Sequence, residues 1–385
     1  MRFEFATATQ IVFGPGTLRE AGKLVRPWGR RVLVVTGGAL DRAKPLLQIL
    51  AGEGMVATTF PVAHEPSVAT IVDGLSAARA CNAEMVIGFG GGSVIDAAKA
   101  VAGLFTNPGE PLDFLEIVGA GKPLLQPALP WMAIPTTAGT GAEVTRNAVL
   151  AVPERKVKVS LRSPYLLARI ALVDPELTLD LPLAITAATS MDALTQLLEA
   201  YVCNRANPMT DALCQAGIPR VAKALSAVRR NPRDVAARED LSLGALWSGI
   251  ALANAGLGAV HGFAGPIGGM FSAPHGAVCA ALLAPVMRAN IAVLRARAPE
   301  QLALRRYGEI AEWLTGRPEA APEDGVRVIE ELVATLQIPK LALFGINAGR
   351  VSEIVAQAQQ ASSMKANPVV LTPVELTGAL TAALA

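Results

Sequence analysis

Two kinds of hydrophobic pattern divide the chain. In the first half, short unbroken apolar runs alternate with segments of helical spacing. Val32-Leu33-Val34-Val35-Thr36 ends in Gly37-Gly38, and Met85-Val86-Ile87-Gly88-Phe89 ends in Gly90-Gly91-Gly92. Runs that do not alternate with polar residues predict strands buried on both faces. Residues 41–50 and 67–80 carry apolar positions at helical spacing, and Pro66-Ser67 offers a cap to the second. This strand–helix order predicts an α/β domain on a parallel, doubly wound, Rossmann-like sheet.

After about Pro182 the strand signals fade. Ala- and Leu-rich blocks take over at residues 185–202, 210–228, 235–253 and 301–314, separated by Asn-Pro and Gly-Arg-Pro punctuation. Alanine and leucine are the strongest helix formers, so an all-α C-terminal domain is expected. The boundary falls in the turn region 174–182, giving an α/β domain over residues 1–180 and a helical domain over residues 181–385.

Within the helical half, residues 241–287 contain no Asp, Glu, Lys or Arg, an uncharged run of 47 residues. Length alone would let it span a bilayer. Asn254, Ser248, Ser272, three prolines and many glycines interrupt it, however, and it holds His261 and His275, two of the three histidines in the chain. Buried imidazoles need partners for both ring nitrogens, so the run reads as the dry floor of a site and no membrane partner is expected.

Composition narrows the function classes. Only 17% of residues are charged and 52% are hydrophobic, which excludes a disordered chain. Thirty-four basic residues stand against 32 acidic ones, a net charge of +2 scattered along the chain, so no nucleic-acid partner is expected. Residues 1–10 lack the basic-then-apolar pattern of a secretion signal. Cys81, Cys203, Cys214 and Cys279 show no CxxC spacing, and a cytoplasmic location follows as the expectation.

Three segments carry candidate chemistry. Gly90-Gly91-Gly92-Ser93 follows a buried strand and opens a helix that continues through Asp96 to Lys99. Residues without a Cβ let backbone N–H groups approach a pyrophosphate, and the helix dipole favours its charge; the alternative is a tight turn without a ligand. Thr136, Thr137, Thr140 and Thr145 cluster around Gly139 and Gly141 after an apolar run, a density of hydroxyls suited to ribose, phosphate or amide contacts. Asp192 and Gln196 lie four apart on one helix face, and with His261 and His275 make a set of one carboxylate, one amide oxygen and two imidazoles.

Together these residues resemble the iron-containing (group III) alcohol dehydrogenase family, whose fold is shared with glycerol dehydrogenase and dehydroquinate synthase. The resemblance covers nearly the whole chain: Phe13-Gly14-Pro15-Gly16, the segment from Gly90 to Lys99, Thr106-Asn107-Pro108-Gly109, the segment from Pro135 to Thr145, Val173-Asp174-Pro175, the segment from Asp192 to Tyr201, Gly258-Ala259-Val260-His261, Pro274-His275-Gly276 and Asn367-Pro368. It implies a dehydroquinate synthase-like pair of domains. It also implies NAD(P)-dependent interconversion of a small alcohol and an aldehyde or ketone, by a homodimer or larger homo-oligomer. NAD or NADP would bind on Gly90, Gly91, Gly92, Ser93, Asp96, Thr136, Thr137 and Thr140.

The family typically holds its metal through Asp-x-x-x-His on one helix and two further histidines. Asp192, His261 and His275 match, and Gln196 occupies the first histidine position. An amide oxygen is a weaker donor than imidazole, so the resemblance implies an Fe²⁺ or Zn²⁺ site of reduced affinity, with His261, His275 and Lys158 the candidate catalytic groups. Gly265 replaces a further histidine found near the substrate in many members. Gly37 stands where NAD-preferring members carry an aspartate for the ribose 2′-hydroxyl, which makes NADP tolerable. Lys158 matches a family lysine near the nicotinamide; its alternative is a surface charge in the basic run 155–158. Two other outcomes fit the same departures: a metal-independent enzyme resembling maleylacetate reductase, and a nucleotide-binding homologue without turnover.

Overall fold

A computed structural model describes residues 2–155 and 157–384. The chain forms two compact units. One comprises Ala6–Thr137 and Gly141–Leu179; the other comprises Asp180–Ala385 with Ala138–Thr140 and the N-terminal residues up to Phe5.

The first unit carries strands β1 (Gln10–Phe13), β2 (Arg31–Thr36), β3 (Val56–Pro61), β4 (Met85–Gly90), β5 (Trp131–Pro135), β6 (Asn147–Val152), β7 (Val157–Arg162) and β8 (Ile170–Val173). It also carries helices α1 (Ala21–Val25), α2 (Lys44–Gly52), α3 (Val68–Ala80) and α4 (Gly92–Phe105). Six strands form a parallel sheet in the order β1-β8-β5-β4-β2-β3, while β6 and β7 pair as an antiparallel hairpin. The two expected strand runs are β2 and β4, adjacent in register with Val34 opposite Ile87. Ser67 caps α3 in a reciprocal pair with Thr70, so that helix begins where its sequence cap sits.

Strand periodicity decides what lies on each face of β4. Met85, Ile87 and Phe89 join a core with Leu46 and Leu50 of α2. Gly88 and Gly90 face α4: a Cβ on Gly88 would stand 2.8 Å from the Ala98 Cβ, and one on Gly90 would stand 2.6 Å from Val94. These two glycines let α4 lie directly on the strand, which sets where its N-terminus begins.

The second unit is helical: α5 (Leu183–Val202), α6 (Pro208–Arg230), α7 (Val235–Asn254), α8 (Ala259–Met270), α9 (His275–Arg297), α10 (Leu302–Thr315), α11 (Pro322–Thr335), α12 (Val351–Gln360) and α13 (Pro373–Leu384). Every residue of α5 from Ser190 to Val202 is buried, because α6, α7 and α9 lie against it. The buried guanidinium of Arg238 on α7 anchors its start, donating to the Thr186 hydroxyl at 2.7 Å and the Leu181 carbonyl at 3.3 Å. The uncharged run of residues 241–287 covers the end of α7, all of α8 and the start of α9, with α7 and α8 bent by 96° at their break. Helix α9 is long and apolar enough to cross a membrane, yet 72% of its most apolar window is buried inside the protein. Its hydrophobic surface is therefore satisfied by other helices.

Candidate metal centre and nucleotide cradle

Three helices of the second unit bring their polar residues to one point. Asp192 comes from the buried middle of α5, His261 from the first turn of α8, and His275 and Cys279 from the first turns of α9. One ligand atom from each of these four side chains lies within 4.8 Å of the others. His261 Nε2 is 3.2 Å and His275 Nε2 is 3.7 Å from Asp192 Oδ1, and the two rings are tilted at a centroid distance of 5.5 Å.

The surrounding backbone is built for this approach. A Cβ on Gly276 would lie 2.2 Å from the Ala188 carbonyl oxygen, so only glycine lets α9 start against α5. Gly258 is similarly confined by Glu199 and Asn367. Those two side chains receive the free N–H groups of the α8 N-terminus: Ala259 donates to Asn367 Oδ1 at 3.0 Å and Val260 to Glu199 Oε1 at 2.7 Å. The other Glu199 oxygen lies 2.6 Å from His261 Nδ1, orienting the ring with Nε2 toward Asp192.

Electrostatically the centre favours positive charge. Burial works against ionisation of Asp192, but the His275 charge and a hydrogen bond from His261 leave its carboxyl below the usual range. Burial likewise opposes a charged His261, and Cys279, Asp192 and Glu199 together outweigh it, raising the imidazole well above its ordinary value. The Cys279 charge is the main cause that lifts His275 to about 9, against burial and with help from Asp192. Two imidazoles, a carboxylate and a thiol converging in a protected site are donor chemistry for a divalent transition metal, so the residues fit one. His275, with its side chain 38% exposed, is the accessible member; Asp192 and His261 are 2% and 7% exposed.

Gln196 also lies here, one turn after Asp192, but its partners are different from those expected of a ligand. Its amide nitrogen donates to Asp192 Oδ2 at 3.3 Å and its oxygen accepts the Ser248 hydroxyl at 2.8 Å. Cys279 and Glu199 are the residues that sequence reasoning missed. Their signal was spacing: Cys279 follows His275 by four and Glu199 follows Asp192 by seven, each on the same helix face.

In the α/β unit, α4 begins at Gly92 with Gly91 as its cap residue and no side chain capping it. Gly90, Gly91, Gly92 and Ser93 thus present backbone at a helix N-terminus, the arrangement that suits a phosphate. Thr136 is tied to this turn by its N–H donating to the Gly90 carbonyl at 2.9 Å, and a Cβ on Gly91 would sit 3.4 Å from the Thr137 methyl. Thr140 belongs to the Ala138–Thr140 segment that folds with the helical unit, where Ser190 donates to the Ala138 carbonyl at 3.1 Å. Asp96 faces the β6–β7 hairpin: its Oδ2 accepts the Val149 N–H at 3.1 Å, and Lys99 Nζ stands 3.6 Å from Oδ1. Lys158 lies on β7 with Nζ 2.6 Å from Glu65 Oε1, in the turn before α3. Gly37 follows β2 with open space where a Cβ would point, as does Gly265 on α8.

Comparison with known proteins agrees over the full length. Residues 8–175 match the family described as iron-containing alcohol dehydrogenase, and residues 186–384 match the C-terminal region of the same family. Alcohol dehydrogenase 4 of Saccharomyces cerevisiae is 34% identical over 366 residues, covering 94% of this chain and 93% of the relative. Long-chain-alcohol dehydrogenase 1 of Geobacillus thermodenitrificans is 35% identical, covering 98% of each. The crystal structure of a 1,3-propanediol oxidoreductase superposes with a TM-score of 0.91 at 30% identity, covering all of both chains. The family match over both units, with relatives that are alcohol dehydrogenases matched over more than nine-tenths of their length, makes this chain an oxidoreductase. The chain belongs to the iron-containing alcohol dehydrogenase family.

Proposed function

We propose that this enzyme interconverts a small alcohol and its aldehyde or ketone by direct hydride transfer to and from NAD or NADP, with a divalent metal held by Asp192, His261 and His275. The observation that carries this reading is the convergence of those three side chains from α5, α8 and α9, with both Nε2 atoms 3.2–3.7 Å from Asp192 Oδ1. A metal held there would supply Lewis acidity toward the substrate oxygen, and a bound nicotinamide would supply the hydride chemistry.

The chain's own residues do the rest. Glu199 holds the His261 proton at Nδ1 and points Nε2 at Asp192, from where it could coordinate once a metal displaces the Nε2 proton. Substrate oxygen reaches the cluster from the His275 side, the accessible one. Buried apolar helices around the site keep water away and strengthen every polar contact within it. The uncapped start of α4 binds pyrophosphate, assisted by the hydroxyls of Thr136 and Thr137. With no aspartate at Gly37, NADP is admitted beside NAD. Small-molecule relatives support the substrate class: the similar proteins are named for alcohols and a propanediol. Four free cysteines support a reducing cytoplasm, and the family resemblance supports a homodimer or larger assembly.

The test is an assay with NADH and NADPH on aldehydes, ketones and keto acids, before and after exhaustive chelation. Aldehyde reduction that disappears on chelation and returns with a divalent metal is expected. Full activity after complete metal removal would overturn the metal-assisted reading.

A further inference from the structure

Four of the six separations within the donor cluster run in a ring: 3.2 Å and 3.7 Å from Asp192 Oδ1 to the Nε2 atoms of His261 and His275, and 3.6 Å and 3.8 Å from Cys279 Sγ to the Nε2 atoms of His275 and His261. Metal–ligand bonds of about 2.0–2.3 Å meeting at the tetrahedral angle put neighbouring ligand atoms about 3.3–3.6 Å apart. The four ring separations lie within a few tenths of an ångström of that figure, and all four atoms lie within 4.8 Å of one another, so one ion could draw them together with small side-chain shifts. Both polar atoms of Gln196 already have hydrogen-bond partners. Its oxygen accepts from Ser248, and its nitrogen donates to Asp192 Oδ2, while the histidine contacts are made by Oδ1.

We propose that Cys279 supplies the fourth protein ligand as a thiolate, that Gln196 positions Asp192 without touching the metal, and that the sulfur donor makes this centre prefer zinc to iron. The inference rests on the metal-assisted reading above and deepens it. Helical spacing puts Cys279 one turn beyond His275 on the same face of α9, and it is fully buried against both histidines. Coordination forms a metal–sulfur bond as the Sγ proton leaves to solvent, so no oxidant or reductant is needed. A thiolate restores the ligand strength lost when an amide stands in the histidine position, and soft sulfur suits zinc better than ferrous iron. The exposed His275 side would remain the approach for a substrate oxygen.

The test uses the full-length protein loaded separately with zinc and with cobalt. X-ray absorption of the zinc form should show one sulfur scatterer at about 2.3 Å. The cobalt form should show a thiolate-to-metal charge-transfer band that is lost in Cys279→Ser and retained in Gln196→Ala. Competition under anaerobic conditions should show the zinc-over-iron preference falling at least tenfold in Cys279→Ser. A wild-type centre that binds metal with only nitrogen and oxygen scatterers, or a sulfur signal that persists in Cys279→Ser, overturns this inference and leaves the proposed activity standing. Failure of the wild-type protein to retain zinc, cobalt or iron overturns both. If the cysteine variant does not fold, the wild-type scattering decides the question by itself.

Discussion

Glu199 grips His261 from behind. One carboxylate oxygen lies 2.6 Å from Nδ1, and the other accepts the Val260 N–H at 2.7 Å, so a single buried side chain orients the ring and caps the helix that carries it. Carboxylate partners of metal-bound histidines fix the tautomer and raise ligand basicity, and their loss typically costs about 10–100-fold in metal affinity. Glu199→Gln should show a drop of that order in a chelator competition, with a parallel fall in kcat. Unchanged affinity would mean that Glu199 serves the helix terminus alone.

Gly276 is the tightest constraint on the centre. A methyl group there would meet the Ala188 carbonyl oxygen at 2.2 Å, and that oxygen belongs to the helical backbone of α5, which cannot swing aside as a side chain would. Gly276→Ala should destabilise the fold by about 2 kcal/mol or more, the order expected of overpacking, and displace His275 from Asp192. Denaturant midpoints and metal content of the purified variant measure the two effects.

Gly37 tests the cofactor argument without steric interference, because a Cβ there would meet nothing within 4 Å. A carboxylate at that position bonds a ribose 2′-hydroxyl and repels a 2′-phosphate. Gly37→Asp should lower the NADPH-to-NADH ratio of kcat/KM by about tenfold or more, equivalent to about 1.4 kcal/mol. An unaltered ratio would show that the 2′ position lies elsewhere.

Glu143 predicts a pH effect. It is buried at 3% exposure, and burial raises its carboxyl to about 7, although Lys99 pulls the other way. The folded state therefore holds this proton more tightly than the unfolded chain does. Its favourable contribution is complete below the unfolded value near 4.5 and is lost as pH rises through about 7. Glu143→Gln should gain stability relative to the wild type across that window, by about 3 kcal/mol at the upper end. Urea titrations of both proteins between these limits read the difference directly, and a constant offset would refute the assignment.

Local pattern carried much of this protein. Unbroken apolar runs at residues 32–36 and 85–89 specify doubly buried strands, and β2 and β4 occupy them. The glycines after β4 specify the uncapped start of α4, and the Ala/Leu blocks specify α5, α6, α7 and α10, because strand and helix periods are properties of adjacent residues. Asp192, His261 and His275 were legible through motifs whose residues are near neighbours in sequence. The partners of Gln196 and the role of Cys279 were not. Cysteine is among the most buried residue types, so one more in an apolar helix reads as packing. Only the convergence of α5, α8 and α9 gives it a metal site to serve. The same holds for Glu199, whose hydrogen bond spans 62 positions along the chain. Separation of that kind has no period, and the tertiary fold alone decides which distant donors share a single point in space.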